Sequence, residues 1–337
     1  MELLLGFSFV LVAGVFQGSF VLPMTMTKRW EWEHTWATFS LLGMLVFNWA
    51  FTFLFIPEIF SIYSSVSVKD IAILILFGAG WGVGAVLFGL AMDKLGMALG
   101  YPIIMGLIAS LGTLIPLTVF FPESLLTLRG LVLLSGTTLV ILGIVICSMA
   151  GSRKATNDEP GTITKSDSFS AGLLIAVLAG VLSCFPNVGM AFGTNIINQA
   201  RALGIPDMFA GNAVWALFFT AGFVVNFGYC LSRMLKRRNL AGYHVPEKKR
   251  NMVLAVLMAV MWIGSFYLYG MSAAKLGRWG VMVGWPLFIT LSIVVGNLWG
   301  LVRGEWKGAP NSARSLLNRG LIILLIAVIT VAVSNAL

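Results

Sequence analysis

The stretch that organises this chain is written twice, as Trp81–Gly96 (WGVGAVLFGLAMDKLG) and again as Trp262–Gly277 (WIGSFYLYGMSAAKLG). Six of the sixteen positions are identical without a gap, and Phe88 aligns with the similar Tyr269. The copies lie 181 residues apart in a chain of 337 residues. This spacing predicts that the chain consists of two related halves.

The composition is that of a protein embedded in lipid. Hydrophobic residues make up 58% of the chain, charged residues 10%, and the mean hydropathy is +0.94. Ordinary soluble domains have about 25% charged residues. Ten apolar segments have roughly the 20 residues that a helix needs to cross a bilayer, and their backbone bonds must be satisfied internally. We therefore predict an all-α polytopic membrane protein with ten transmembrane helices, over 3–22, 37–56, 71–92, 98–121, 130–150, 171–197, 210–231, 252–273, 281–302 and 320–336.

The two halves are predicted to be inverted relative to each other. Five helices precede the polar stretch 151–170 and five follow it, so the second half crosses the membrane in the opposite sense. We divide the chain into a first five-helix repeat (1–150), a cytoplasmic linker (151–170) and a second five-helix repeat (171–337). Asn48 and Asn226 occur in similar sequence contexts in the two halves, which supports this pairing.

The net charge of +9 reflects membrane topology, because the basic residues lie almost entirely between apolar segments. Of the 22 Lys and Arg, 17 fall in one set of loops, and the five in the other set are Lys69, Arg129, Arg201, Lys275 and Arg278. The positive-inside rule then predicts that both termini are outside. This distribution also argues against a nucleic-acid partner. The basic cluster at 233–250 is interpreted as a topology anchor, with a lipid-regulatory site as the alternative.

An enzyme is not supported by the sequence. Both histidines, His34 and His244, are predicted in loops, and neither a Ser/His/Asp set nor a metal-ligand cluster can be assembled at membrane depth. No cofactor or metal is expected. Gly78 and Gly82 form a small-xxx-small pair in an apolar helix, which predicts close helix packing. An inverted repeat of helices is instead typical of secondary transporters, whose sites lie near the bilayer midplane.

Two groups of side chains are candidates for that site. Neutral polar residues form one group, because amides facing lipid are costly. They are interpreted either as interhelical hydrogen-bonding groups or as substrate contacts: Gln17, Asn187, Thr194 and Asn198. Aromatic residues on equivalent stripes of the two halves, or next to a proline, form the other group, with core packing as the alternative role: Trp81, Tyr101, Trp262, Phe266, Tyr269 and Trp285.

Amides and aromatic faces suit an uncharged, polyhydroxylated ligand, because amides pair with hydroxyl groups and rings stack on the apolar face of a sugar. We therefore predict a small neutral sugar as the substrate, with the lipid bilayer as the solvent. Proton coupling usually requires a carboxylate or histidine within the membrane. The candidates for this role are Glu33 and Asp93, with a charge at the membrane interface as the alternative interpretation of each.

Several motifs resemble the L-rhamnose/proton symporter family of the drug/metabolite transporter superfamily. They include Lys28–Glu33 (KRWEWE), Tyr63–Ser65 (YSS), Phe77–Gly82 (FGAGWG), Met261–Trp262 and Glu305–Trp306, and they follow the family's order nearly end to end. The resemblance implies two inverted five-helix repeats and proton-coupled sugar uptake at the inner membrane of a bacterium. Rhamnose is the first candidate substrate. The alternatives are another sugar, an exporter of a neutral metabolite or drug, and a non-transporting membrane sensor.

Overall fold

The computed structural model describes residues 2–158 and 166–337, with side chains at all of these positions except 93, 96–99, 102, 155–158 and 166–169. The secondary structure in these ranges is helical, and ten stretches are long and apolar enough to cross a membrane. The predicted number of spans is therefore confirmed. They are Glu2–Met26, Trp32–Phe55, Val68–Met92, Ile103–Phe120, Leu128–Lys154, Ser170–Ala202, Asp207–Lys236, Lys248–Lys275, Gly277–Val302 and Asn311–Ser334.

Several spans contain more than one helix. The α-helices of the described ranges are α1 (Glu2–Ser19), α2 (Trp32–Phe39), α3 (Asn48–Phe55), α4 (Ile59–Ser65), α5 (Val68–Phe120), α6 (Leu128–Asp158), α7 (Ser166–Ser183), α8 (Phe185–Phe192), α9 (Thr194–Ala202), α10 (Asp207–Ala210), α11 (Trp215–Lys236), α12 (Lys248–Lys275), α13 (Gly280–Val302) and α14 (Asn311–Ser334).

The long helix α5 contains two of the spans and doubles back between them. The rings of Phe88 and Tyr101 meet edge to face with centroids 6.3 Å apart, whereas thirteen residues of straight helix would separate them by about 20 Å. A Cβ atom on Gly100 would come within 3.4 Å of the Ala91 carbonyl oxygen. The chain therefore reverses between Ala91 and Gly100, close to the break predicted between the third and fourth segments.

Two spans depart from the unbroken α-helix that was assumed for them. A π-helical segment, Ser40–Phe47, separates α2 from α3. The sixth span is divided into α7, α8 and α9, with breaks at Cys184 and Gly193. Pro186 contributes to the first break, because it lacks the N–H that would continue the hydrogen-bond ladder of α7. Apolar composition marks where a helix crosses the bilayer but carries little information about such local changes in hydrogen bonding.

The chain forms two compact units that each combine distant segments. Unit 1 comprises Met1–Val83 and Gly189–Gly277, and unit 2 comprises Gly84–Val188 and Arg278–Leu337. Each unit therefore takes residues from both predicted sequence halves. Helix covers both ends of the predicted linker, up to Asp158 in α6 and from Ser166 in α7, while residues 159–165 lie outside the described part of the chain.

In unit 1, close packing brings α5 against α11. A Cβ atom on Gly78 would overlap the carbonyl group of Phe218, and one on Gly82 would lie 3.0 Å from the Gly222 carbonyl oxygen. The glycine pair therefore lets the two backbones touch, as its spacing predicted. In the same unit, α1 packs against α12, and the Ser272 hydroxyl donates to the Gly6 carbonyl oxygen at 2.8 Å.

Two buried asparagines fix neighbouring helices of unit 1. Asn48 Nδ2 donates to the carbonyl oxygens of Trp215 and Ala216 on α11, at 3.2 Å each. Asn226 Oδ1 accepts a hydrogen bond of 3.1 Å from the indole N–H of Trp36. These residues, which occupy similar contexts in the two sequence halves, both connect α11 to the span that contains α2 and α3.

Unit 2 is built largely on the packing of α6 against α14. Glycines again provide the close approach: Gly136 faces Val331, Gly143 faces Leu324, and Gly320 faces Cys147. A Cβ atom at any of these glycines would come within 2.6 Å of the facing side chain. The unit also contains α7, α13 and the second arm of α5, and three of the predicted substrate contacts lie in it: Tyr101 on α5, Asn187 on α8 and Trp285 on α13.

Candidate functional site

Aromatic rings from four spans meet inside unit 1. The rings of Trp81 on α5 and Trp262 on α12 stack with centroids 5.7 Å apart and an angle of 24° between their planes. Trp262 also contacts Phe266 at 5.2 Å, and Phe266 contacts Trp215 at 5.5 Å. We call the whole set the aromatic cluster, and its members are Phe39, Trp81, Trp215, Phe218, Phe219, Trp262, Phe266 and Tyr269.

The two tryptophans at equivalent positions of the repeated motif therefore touch each other. Their side chains are 9% and 3% exposed, so neither ring faces lipid. The stripe of Trp262, Phe266 and Tyr269 on α12 faces α11, where Trp215 lies 6.5 Å from Tyr269. Four of the predicted site residues are thus brought together, although contact with a ligand stays a prediction.

The indole N–H groups of Trp81 and Trp262 differ from those of Trp36, Trp215 and Trp285, which are also buried or partly buried. Trp36, Trp215 and Trp285 each donate to a protein oxygen, at 2.9 to 3.2 Å. No described residue accepts a hydrogen bond from Trp81 or Trp262, and neither N–H is among the buried polar atoms without a partner. These two donors are therefore accessible and available to a ligand.

Gln17 lies beside the aromatic cluster through its contact with α12. The Ser265 hydroxyl lies 2.8 Å from Gln17 Oε1 and 2.6 Å from the Trp262 carbonyl oxygen, so its single hydrogen can be donated to either. The side chain of Gln17 is partly buried. The structure thus brings a predicted amide to the level of the stacked tryptophans.

Thr194 and Asn198 lie on α9, and both are exposed. The Thr194 hydroxyl donates to the Ala191 carbonyl oxygen at 2.7 Å, and Asn198 Oδ1 accepts a hydrogen bond from Arg201 at 3.1 Å. The predicted face that joined them to Asn187 assumed one continuous helix. The break at Gly193 interrupts that face: Thr194 and Asn198 belong to unit 1, whereas Asn187 belongs to unit 2.

Asn187 is fully buried in unit 2, where it joins two segments. Its Nδ2 donates to the carbonyl oxygens of Gly112, at 2.6 Å, and Val281, at 3.1 Å. Pro116 has no N–H to offer the Gly112 carbonyl four residues earlier. Asn187 supplies the missing donor, which supports the interpretation of this residue as an interhelical hydrogen-bonding group.

The remaining aromatic candidates of unit 2 are also engaged in packing. The Trp285 indole N–H donates to the Ile108 carbonyl oxygen at 2.9 Å, and its ring lies against Gly112, where a Cβ atom would overlap it. Asn187 and Trp285 therefore meet at the same glycine. Tyr101 packs on Phe88 at the reversal of α5.

A polar junction joins α2 to the end of α11 in unit 1. The Glu33 side chain is 4% exposed and pairs with Arg233 at 2.7 Å and Arg237 at 3.0 Å. His34, which was predicted in a loop, is a buried residue of α2: its Nδ1 accepts from the Glu31 N–H, and its Nε2 lies 2.8 Å from the Asn239 carbonyl oxygen. This arrangement fits the neutral imidazole with the proton on Nε2.

The junction is completed by Tyr243, which lies outside the spans. Its hydroxyl donates to the His34 carbonyl oxygen at 3.2 Å. Burial raises the pKa of Tyr243, so the phenol keeps the proton that it donates. The other predicted coupling residue, Asp93, has a side chain outside the described set, and its role stays a prediction.

Sequence reasoning missed the contribution of α11 to the aromatic cluster. Trp215, Phe218, Phe219 and Gly222 follow one another at helical spacing, and Gly222 lies under the ring of Trp81. That stripe was visible in the sequence. It lacks a counterpart in the repeated motif, so the repeat does not indicate it.

The fold and the site define a class: a polytopic helical membrane protein with a buried aromatic and amide site. The sequence profile described as L-rhamnose-proton symport protein (RhaT) matches residues 1–336. The chain belongs to this family. The family consists of transporters rather than enzymes, in agreement with the sequence-based expectation.

Full-length relatives show the same likeness. The L-rhamnose-proton symporter of Citrobacter koseri is 28% identical over 334 residues, covering 96% of this chain and 95% of the relative. That of Escherichia coli is 27% identical over 343 residues, covering 98% of both chains. That of Yersinia pestis is 28% identical over 332 residues, covering 96% of both chains.

Proposed function

We propose that this protein imports L-rhamnose together with protons across the bacterial inner membrane. Family membership over nearly the whole chain supports the activity, and the names of the relatives support the substrate. The structural observation that best supports a sugar substrate is the stacked pair of Trp81 and Trp262, whose two indole N–H groups are available as donors.

The aromatic cluster suits this sugar. Rhamnose has hydroxyl groups that can accept hydrogen bonds and a methyl group in place of the last hydroxyl. The indole N–H groups and the Gln17 amide can pair with the hydroxyls, while the ring faces of Phe266 and Trp262 offer apolar surface to the methyl group and the C–H bonds of the sugar. The other predicted contacts, Tyr101, Asn187, Thr194, Asn198, Tyr269 and Trp285, are retained in the proposal as residues to be tested.

The proposal includes membership of the drug/metabolite transporter superfamily and a transport cycle of alternating access between two inverted five-helix repeats, an arrangement found in secondary transporters. The repeated motif, the odd number of helices per half and the distribution of Lys and Arg support it. The same distribution supports an orientation with both termini outside.

Proton coupling is assigned to Glu33. Its buried carboxylate is neutralised by Arg233 and Arg237, and a proton on it would weaken both ion pairs. A Glu33→Gln variant is expected to lose proton-driven accumulation of rhamnose but to retain rhamnose exchange in the absence of a gradient. A matched Glu247→Gln variant, whose partner Arg29 is 3.7 Å away, should keep both activities. Loss of exchange and accumulation together in Glu33→Gln would assign Glu33 to structure alone.

The activity is tested by uptake of labelled L-rhamnose into proteoliposomes with and without an imposed pH gradient. We expect accumulation that requires the gradient and collapses when a protonophore is added. Efflux driven in the opposite direction would indicate an exporter. The absence of movement of L-rhamnose and other deoxysugars under every gradient would contradict the proposal and favour a sensor.

A further inference from the structure

Asn212 carries an unsatisfied donor next to the aromatic cluster. It lies in the 3-10 turn Gly211–Val214 before α11, its side chain is fully buried, and its Nδ2 has no acceptor. In the described part of the chain, four other buried polar atoms share this condition: Trp30 Nε1, Ser40 Oγ, Glu247 Oε2 and Thr290 Oγ1. Of the five residues, Asn212 is the one whose hydrogen bond reaches a ring of the aromatic cluster.

The orientation of this carboxamide is fixed. Asn212 Oδ1 accepts a hydrogen bond of 3.2 Å from the indole N–H of Trp215. A rotated amide would direct its NH₂ group at that N–H, and two donors would face each other. Gly270 lies close to the same oxygen: a Cβ atom at this position would overlap Asn212 Oδ1. The NH₂ group is therefore the end left without a partner.

The surroundings place this donor at the candidate site. The Trp215 ring, held by Asn212, contacts Phe266 at 5.5 Å and stacks on Phe219 at 5.2 Å. Phe219 in turn contacts Trp262 at 4.7 Å. A buried N–H that has lost water and found no protein acceptor is rare in native proteins and requires an explanation.

We propose that Asn212 is a further sugar-recognition residue, whose carboxamide donates a hydrogen bond to a hydroxyl oxygen of the transported sugar. This inference rests on the proposed function. A hydroxyl oxygen is an acceptor that a neutral sugar brings into a site where the protein leaves a donor unpaired. The atom is shielded in this conformation, so the sugar reaches it only when the surrounding rings part.

The discriminating variant removes the donor without leaving Trp215 unpaired. We compare the double variant Asn212→Leu/Trp215→Phe with Trp215→Phe alone, which keeps the Asn212 NH₂ group. The Kd for L-rhamnose of the purified double variant should be roughly 10- to 100-fold higher than that of the single variant, the range of one buried hydrogen bond. Melting temperatures measured without sugar show whether both variants are folded.

A second measurement uses the wild-type protein, which removes any dependence on how the variants fold. L-Rhamnose analogues that each lack one hydroxyl group are compared in the same binding assay. We expect one analogue to bind wild-type protein roughly 10- to 100-fold more weakly than rhamnose, as for the loss of one buried hydrogen bond. The double variant should bind that analogue and rhamnose equally, whereas Trp215→Phe should still discriminate.

An equal loss for rhamnose and every analogue, or no loss in the double variant, would overturn the assignment and indicate that Asn212 binds an ordered water molecule only. If wild-type protein binds no rhamnose or deoxysugar at all, the proposed function has failed and this inference fails with it. Binding by wild-type protein with intact discrimination in the double variant rejects Asn212 alone.

Discussion

Five tryptophans around the predicted site residues differ in whether the indole N–H has a protein acceptor. In one group the indole N–H donates to a protein oxygen, as in Trp36, Trp215 and Trp285, and this bond holds the ring against a neighbouring segment. Trp81 and Trp262 keep it accessible while their rings stack. The repeat in the sequence predicted that the latter two would be equivalent, but only the folded chain shows that they touch.

Replacing Trp262 with Phe should separate binding from stability. Because the indole N–H has no protein acceptor, the substitution leaves no buried group unpaired and should lower the free energy of unfolding only through the ring volume that it removes. The KM for rhamnose should rise roughly 10-fold through loss of one ligand hydrogen bond. Thermal unfolding in detergent and uptake kinetics measure the two effects.

The control is Trp36→Phe, which leaves the buried Asn226 Oδ1 without its donor and should cost about 1–3 kcal/mol of stability. If Trp262→Phe lowers stability as much as Trp36→Phe and leaves KM unchanged, Trp262 is a packing residue.

Asn187 illustrates a residue whose role depends on a distant proline. We predict that Asn187→Leu costs about 1–3 kcal/mol of stability by leaving the Gly112 carbonyl unpaired. In a Pro116→Ala background, the new N–H of residue 116 can bond to that carbonyl, so the cost should fall by about 1 kcal/mol. A double-mutant cycle by thermal unfolding measures this coupling. Equal costs in both backgrounds would contradict the account.

At the scale of elements, the repeated motif is used differently by its two copies. Gly270 is pressed against Asn212, whereas a Cβ atom on the equivalent Gly89 would have no neighbour within 4 Å. Upstream of Gly89 on α5, Gly78 allows backbone contact with Phe218. The glycines of one helix therefore differ widely in their tolerance of a side chain.

We predict that Gly78→Ala strongly reduces the yield of folded protein, because the new methyl group would overlap the Phe218 carbonyl and push α5 from α11. Gly89→Ala should be neutral or stabilising by up to about 1 kcal/mol, since alanine is the better helix former. Detergent extraction followed by size-exclusion chromatography compares the two variants. Equal yields would show that α5 and α11 can separate at little cost.

The membrane-spanning helices were predictable from the sequence because the bilayer dictates their length and composition. Ten spans follow from apolar length, because a helix of about 20 residues is the solution that the bilayer imposes. The π-helical segment Ser40–Phe47, the breaks of the sixth span and the helical position of His34 depend on local bonds instead. The site was predictable where the repeat marked it, at Trp81 and Trp262. Asn212 was not, because its significance arises from a missing bond.

At the scale of the whole molecule, the distribution of basic residues leads to a test of orientation. Asn251 is unsuitable for labelling because it is fully buried and bonded through both amide atoms to the Lys28 backbone. Lys249 and Leu126 are exposed at opposite predicted faces, and Leu126 is 86% exposed.

We predict that a membrane-impermeant thiol reagent added outside intact cells labels Leu126→Cys, and that Lys249→Cys reacts only after the cells are opened. The parent chain, whose cysteines include the buried Cys184 and Cys230, provides the background. The reverse pattern, with labelling of Lys249→Cys alone from outside, would place the termini inside.

The composition of the two compact units constrains how the protein can be made. Unit 1 cannot be completed until Gly189–Gly277 has left the ribosome. Unit 2 cannot be completed until Arg278–Leu337 has been synthesised. At about 5 to 20 residues per second, the first 83 residues wait several seconds or more for their partners. During that interval the helices that later pack against α11 have no partner, and Asn48 lacks its acceptors on that helix. The insertion machinery or lipid must cover these surfaces. Folding of both units should therefore depend on the segments that are synthesised last. A nascent chain arrested before residue 189 should be degraded by membrane quality control, because neither unit can form from it.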